Sequence, residues 1–534
     1  MKDQTDPSKG NATLLSFRQN IAWFAVRPKA VARAFAVAVA RKLPPSARNL
    51  LGRVFAVMGR HPVHQLSSQA RIVVWSRIDR FRPLLARQPA ELSLSELIGR
   101  RLLKRLLKAP DGRYRRALAR VDAQLKGRGV SHGKNSIAFK CSVMMMIGTL
   151  GPGGAERQLV VTAKGLRKSA KLKVCVACAN LSSSTSRFFL PELESAGIST
   201  SVIGSEADDN VSLSVRAAID TLPCELREIS LYAKTLAAER PEIVHLWMDE
   251  VNVKGGIAAV LTGVPKIIIS QRSLPPINFS LHRPYMREAY RWLARQPGVK
   301  MINNSGAGAR AYEAWLGLQQ GSIGVVHNGY AFDESELAHY QAGRIEYRQR
   351  VGIPTSALIV GTVMRLGEEK RPLLWLEIAS LIRQAVPEVC FLVIGDGPLR
   401  FAMEARADQS DLAGSVFFAG NIKDPMTAIA SMDMLLLTSR AEGLPNVLIE
   451  AQFLGVPVVA TPAGGAPEAV NHGKSGWLLD SWDAESSSRQ IVRLLLDKQW
   501  RETATRCGPE FAFARFGVQR AIDETLAVYS LNSR

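Results

Sequence analysis

At 534 residues with 47% hydrophobic content, the chain is globular and too long for one hydrophobic core, so two or three domains are expected. Six cysteines scattered without dense spacing exclude a secreted disulfide scaffold, and with nothing resembling a cleavable signal, a reducing, cytoplasmic setting is expected. The net charge of +22 is confined to the leading quarter: residues 1–140 hold 29 Lys and Arg against 7 Asp and Glu, and the remainder holds 40 of each.

That leading stretch reads as a basic, mostly helical extension, because "KAVARAFAVAVARKL" and "ELIGRRLLKRLLKAP" interleave apolar and cationic residues at helical spacing. Its uncharged runs fall short of the roughly 20 residues a spanning helix needs, so it is expected to lie on an anionic membrane surface rather than cross it. Trp23, Phe24, Phe35 and Phe55 are the apolar anchors of this reading. Arg33, Arg41, Lys42, Arg100, Arg101, Lys104 and Arg105 face headgroups, each cation contributing about 1 kcal/mol. A solvated helical bundle is the plainer alternative, and duplex nucleic acid, the other anionic partner, is not assigned.

From residue 141 apolar runs alternate with amphipathic stretches. "CSVMMMIGTL", "LKVCVACAN", "EIVHLWM" and "PKIIISQR" read as parallel strands, and after a mixed stretch around "GVVHNGYAFDE" the pattern restarts with "ALIVGTVMRL", "VCFLVIGDG", "SVFFAGNI", "MLLLTS" and "PVVATPAGG". The fold class is therefore α/β: two doubly wound domains, at 141–340 and 341–510, facing across a cleft. Cys175 and Cys178 resemble half a zinc site, but in a strand an offset of three sends the thiols to opposite faces, so no metal is expected.

The loops at strand ends are glycine-rich: "GTLGPGGAER", "IGDGPLR", "SRAEGLPN" and "TPAGGAPE". Glycine lets backbone amides approach a ligand, and a helix starting just beyond directs its positive end at an anion, so a phosphate-bearing substrate is expected. The absence of G-x-x-x-x-G-K-[ST], and of G-x-G-x-x-G after a strand, argues against nucleoside triphosphate hydrolysis and nicotinamide binding.

"SRAEGLPNVLIEAQFLG" carries the sharpest signal. A strand through Met434 to Leu437 is followed by a loop and a helix from about Pro445 to Gly455. Val447, Ala451 and Leu454 fall on a sheet-facing stripe, while Asn446 and Glu450 share another face. Backbone around Gly443, Leu444, Pro445 and Asn446 would take a diphosphate at the helix start, with Glu450 accepting from a ribose diol and Glu442 from a sugar beyond the phosphates. Spacing alone does not establish this, since Glu242/Glu250 and Glu369/Glu377 share it; the glycine-rich setting carries the weight. Arg365 and Lys370, at another strand end, would offset the charge of the phosphates.

These residues resemble the retaining glycosyltransferases of the GT-B fold, family four, over about residues 141–530. The stretch "SRAEGLPNVLIEAQFLGVPVVATPAGGAPEAV" looks like that family's E-x7-E signature, and "GPGGAERQL", "VMRLGEEK", "VIGDGPLR" and "HNGY" look like its other landmarks. The resemblance implies two Rossmann-like domains, Arg365 and Lys370 on the donor diphosphate, Glu442 on the donor sugar and Glu450 on the ribose. It also implies Gly153 and Gly154 lining the cleft, and a C-terminal helix within 511–534 crossing back to the first domain. The implied activity is metal-independent transfer, without cofactor and with retention, from a UDP- or GDP-linked sugar to a glycan or lipid-linked acceptor at the inner face of a bacterial envelope. Many members carry a histidine after the strand matching "KIIISQRS", where this sequence has Gln271 and Arg272. Arg272, His245 and Asn252 are the acceptor-side residues of this reading, with Asp249 and Glu250 beside them, although a lone histidine at a strand end such as His245 is more often structural. A nucleotide-sugar epimerase and a non-catalytic scaffold on the same fold are the alternatives.

Overall fold

The computed structural model describes residues 111–126, 139–206, 210–279 and 281–530. Residues 1–110, with the anchors Trp23, Phe24, Phe35 and Phe55 and the cations from Arg33 to Arg105, lie outside the described residues.

Helix α1 (Asp111–Lys126), part of the stretch read above as basic extension, packs on the first domain. Leu118 and Val121 are fully buried there, each contributing roughly 1.5–3 kcal/mol. Tyr114 meets Tyr285 edge-on at 6.0 Å, and Trp292 Nε1 donates to Asp122 at 2.7 Å.

Thirteen strands form two parallel sheets among the described residues. The first holds β1 (Cys141–Ile147), β2 (Val174–Cys178), β3 (Ser199–Val202), β4 (Pro241–Trp247), β5 (Lys266–Gln271), β6 (Val299–Asn303) and β7 (Gly324–Val325), in the order β3-β2-β1-β4-β5-β6-β7. The second holds β8 (Ile359–Val363), β9 (Cys390–Ile394), β10 (Val416–Gly420), β11 (Met434–Leu437), β12 (Val458–Ala460) and β13 (Gly476–Leu478), in the order β10-β9-β8-β11-β12-β13. Helices cover both faces of each sheet. Those that matter below are α2 (Gly154–Ser169), α3 (Asp249–Thr262), α4 (Met286–Leu293), α5 (Gly306–Leu316), α6 (Asn446–Phe453), α7 (Lys498–Phe516) and α8 (Val518–Ser530).

Every apolar run read as a strand is one. In β1, Val143, Met145 and Ile147 enter one core while Met144 and Met146 enter the other, as a parallel strand buried on both faces requires. The same alternation sends Cys175 and Cys178 to opposite faces. Strands β3, β6, β7 and β13 escaped the sequence reading because they are short or carry polar residues instead of an apolar run.

Two stretches of chain join the domains side by side. Tyr330 N donates to Phe516 O at 2.8 Å and Val518 N to Tyr330 O at 2.9 Å, so the outgoing and returning segments pair as a short parallel bridge. Helix α8 then packs on α2, with Ile522 so close that a Cβ on Gly165 would stand 2.5 Å from its Cδ1. Arg520 Nη2 donates to the carbonyls of His327 and Asn328, both at 3.1 Å.

Glu468 of the second domain locks the assembly from the other side. Its carboxylate accepts from the amides of Gly306 and Ala307, both at 2.8 Å, at the start of α5 in the first domain, and pairs with His327 Nε2 at 3.0 Å. Burial works to raise the Glu468 pKa, but the His327 hydrogen bond and the two amides outweigh it and hold the carboxyl below its usual range. A depressed folded-state pKa contributes stability above the unfolded value, lost as pH falls through the folded one. Glu468→Ala is therefore expected to lower stability at pH 7 by about 1–2 kcal/mol, the scale of a lost helix cap, and denaturant unfolding should show this difference shrinking below about pH 4.

Candidate active site

The loops after β1, β5 and β6 of the first domain meet those after β11 and β12 of the second, and the loop after β8 is bonded to that after β11, so the carboxyl ends of both sheets face the domain junction, where open α/β sheets bind ligands. Thr438, just past β11, donates through Oγ1 to Lys370 O at 3.1 Å, and Arg440 N donates to Glu369 O at 2.9 Å. These bonds fix the "SRAEGLPN" loop against the loop that carries Arg365 and Lys370.

Helix α6 begins at Asn446 behind Pro445, and no side chain caps it. Gly455, at φ +68°, ends the turn. The helix is shorter than the Pro445–Gly455 span expected, and it is not amphipathic: Leu448, Ile449, Glu450, Ala451, Gln452 and Phe453 are all buried. It is wedged between its own sheet, α7 and the first domain, which leaves no solvent face for the pattern to mark.

Both glutamates of the signature are buried and paired. Glu442, 7% exposed, holds Lys370 Nζ at 2.5 Å. Glu450, 5% exposed, holds Arg157 Nη1 at 2.7 Å through Oε1, and Arg157 comes from α2 of the first domain. Burial raises the Glu450 pKa; Arg157 opposes the rise and Asp424 adds to it. Arg365 is exposed and makes no side-chain hydrogen bond or ion pair among the described residues. Leu444 packs into the second-domain core rather than toward the junction.

The glycines serve close backbone approach. A Cβ on Gly464, at φ +53°, would overlap the Glu442 carbonyl, and one on Gly465 would overlap that of Gly443. On Gly443 it would stand 2.5 Å from Arg272 O, and on Gly154 2.5 Å from Asn446 Nδ2. Gly154 thus meets the start of α6, whereas a Cβ on Gly153 would collide with the side chain of Glu156 in its own helix.

Arg272 stacks on Trp247 at 4.4 Å and donates to Asn328 Oδ1, whose Nδ2 in turn donates to Asn446 Oδ1. A relay of three side chains therefore runs from the end of β5 to the first residue of α6. No carboxylate pairs with Arg272 among the described residues, and burial pushes its pKa down to about 9. A cavity of about 10 Å³, the size of one water, lies beside it, lined in part by His245, Ser270, His327 and Thr525.

The remaining acceptor-side expectations sit deeper. His245 is fully buried in β4, its Nδ1 within 2.9 Å of the Tyr529 hydroxyl on α8; burial, and then the charge of Arg272, push its pKa down to about 3, so it is a neutral packing group. Asn252 is fully buried in α3 and donates to Ser270 O at 3.0 Å and Tyr290 OH at 3.1 Å, which commits its amide to the first-domain core. Asp249 accepts from Tyr290 at 2.6 Å and Tyr312 at 2.5 Å, while Glu250 pairs with Lys254.

The structure adds Arg157, Asn328 and Glu468 to the junction. Arg157 ends the motif "GPGGAER", but no linear spacing announces a partner 293 residues away. Asn328 sits in "HNGY", quoted above as a family landmark, and Glu468 in "TPAGGAPE", read above for its glycines.

Residues 343–510 match the glycosyl transferases group 1 family. A Vi polysaccharide biosynthesis protein of Salmonella typhi is 28% identical over 474 residues, spanning 79% of this chain and 82% of that protein. An Escherichia coli UDP-Gal:alpha-D-GlcNAc-diphosphoundecaprenol alpha-1,3-galactosyltransferase is 25% identical, spanning 56% and 78%. Among solved structures, Anabaena HepE in complex with UDP and glucose superposes with a TM-score of 0.58 at 22% identity, covering 73% of this chain and 99% of that one, a likeness of fold. The family match thus covers the second domain, and the two facing parallel-sheet domains joined by a double crossing have the GT-B fold.

Proposed function

We propose that the protein is a retaining, metal-independent glycosyltransferase that moves a sugar from a UDP- or GDP-linked donor to a glycan or lipid-linked acceptor in bacterial envelope polysaccharide assembly. The observation that carries this reading is the pair of buried carboxylates, Glu442 and Glu450, on either side of the uncapped start of α6 at the domain junction, each held by a cation. The relatives' printed activities, a polysaccharide biosynthesis protein and a transferase to a lipid diphosphate, support the acceptor class. The solved complexes of HepE with UDP and with UDP-glucose support the donor class.

In the proposed reaction the bond from the anomeric carbon to the diphosphate oxygen breaks and its electron pair leaves with the diphosphate. An acceptor hydroxyl forms the new bond on the same face, and its proton passes to the departing phosphate oxygen. Lys370, released from Glu442, joins Arg365 and the first amides of α6 to stabilise the charge gathering on the diphosphate, which is catalysis by preorganised electrostatics. Glu442 then accepts from sugar hydroxyls, and Glu450 from the ribose. Arg272, a cation with no acid paired to it among the described residues and linked through Asn328 to Asn446, is the residue of the first domain for a phosphate or an acceptor anion.

Three outcomes check this reading. With a panel of nucleotide sugars and a bacterial lipid extract, mass spectrometry should find a product heavier than the acceptor by one sugar, formed equally well with a chelator; a changed donor without acceptor would mean an epimerase. Glu442→Gln should lose about 10- to 100-fold in kcat/KM, the worth of a charged hydrogen bond, and Lys370→Met about 100- to 1,000-fold in kcat. The full chain should float with anionic vesicles, the basic stretch holding it at the inner membrane face, whereas residues 111–534 alone should not; equal flotation would end the membrane assignment.

A further inference from the structure

Arg157 plays no part in the reaction just described, yet its contact with Glu450 is the ion pair that closes the junction at the proposed ribose site. It rises from the first turn of α2, immediately beyond Gly153 and Gly154, and its Nη1 lies 2.7 Å from Glu450 Oε1. Glu450 is 5% exposed, and its other oxygen, Oε2, accepts no hydrogen bond among the described residues. A carboxylate with two oxygens and about four acceptor sites keeps capacity for a diol after one guanidinium hydrogen bond. Around it stand Arg157 on α2, Tyr330 in the crossing segment and Asp424 in the second domain, and among the described residues Arg157 is the cation that offsets the Asp424 charge at Glu450.

We propose that Arg157 is a positioning residue of the donor site: reaching across from the first domain, it grips one oxygen of Glu450, keeps the carboxylate ionised and turns the other oxygen toward the ribose hydroxyls of a nucleoside diphosphate. This rests on the donor-site reading above. Ribose recognition is then a property of both domains together, although the ribose acceptor itself belongs to the second. A carboxylate buried beside Asp424 without Arg157 takes up a proton more readily, since burial and a like charge both disfavour the ionised form. Protonated, Glu450 no longer presents two acceptor oxygens to a diol.

The test measures UDP and GDP affinity by calorimetry from pH 5 to 8, alongside the 2′,3′-dideoxy analogue of whichever binds more tightly. In Arg157→Gln the pH at which affinity is half lost should move up by about one unit or more relative to the wild type, as expected when an opposite charge is withdrawn. Arg157→Lys, which keeps the charge, should hold the wild-type midpoint. The dideoxy analogue, lacking the hydroxyls, should bind both wild type and Arg157→Gln with no such shift. Because Arg157→Gln leaves a buried carboxylate unpaired, the double variant Arg157→Gln/Glu450→Gln provides a second arm without that burden. Its UDP affinity should equal that of Glu450→Gln alone.

A midpoint unmoved in Arg157→Gln, or a further loss of about tenfold in the double variant relative to Glu450→Gln, which is about 1.4 kcal/mol of contact not routed through Glu450, would overturn the proposal. If neither nucleotide binds the wild type, or the dideoxy analogue binds as tightly as its parent at pH 8, the donor-site reading itself fails and this inference falls with it.

Discussion

Carboxylates can be sealed between two domains only if positive charge or amide hydrogens are sealed in with them, and the junction of this protein is built on that requirement. Glu442 brings Lys370 from a neighbouring loop of its own domain, Glu450 draws Arg157 from the opposite domain, and Glu468 takes the first amides of α5. Two of the three pairings span the junction. The same bonds that satisfy the acids therefore hold the two sheets with their carboxyl ends toward each other, and the ligand-facing loops follow from that arrangement.

The backbone is shaped to permit it. Gly443, Gly464 and Gly465 stack main chain on main chain without room for side chains, so the loop bearing Glu442 is braced by the segment after β12 and abuts the end of β5. Phosphate-binding loops and loops that pack backbone against backbone use the same residue for different reasons. Here the second reason is visible in the contacts, and the uncapped first turn of α6 is a place where amide hydrogens remain for a ligand.

Much of this was legible in the order of residues. Continuous apolar runs such as "CSVMMMI" and "CFLVI" announce strands covered on both faces, and their alternation with helical spans leads directly to two parallel sheets. The strand, loop and helix around Glu442 and Glu450 were likewise readable, since proline and glycine mark the ends of α6. What escaped depends on tertiary partners. The stripe of Val447, Ala451 and Leu454 does pack in the second-domain core, but Leu448, Ile449, Gln452 and Phe453 are buried as well, a degree of enclosure periodicity cannot register. His245 and Asn252 read as ligand-side groups because they are polar near strand ends, yet His245 Nδ1 meets Tyr529 and Asn252 Nδ2 donates to Ser270 and Tyr290 within the first domain. Arg157 and Asn328 acquire meaning only when the two halves of the chain meet.

The paired segments at Tyr330 and Gly517 carry a mechanical consequence. A single tether would let the lobes swivel as well as gape, whereas two strands bonded to one another, and clasped by Arg520 at the carbonyls of His327 and Asn328, behave like a door hung on two pins. Torsion between the lobes would have to shear those bonds, while a swing about the line joining the pins leaves them whole. An opening that kept those bonds would carry Arg157 away from Glu450 and back along one arc, without loss of their alignment.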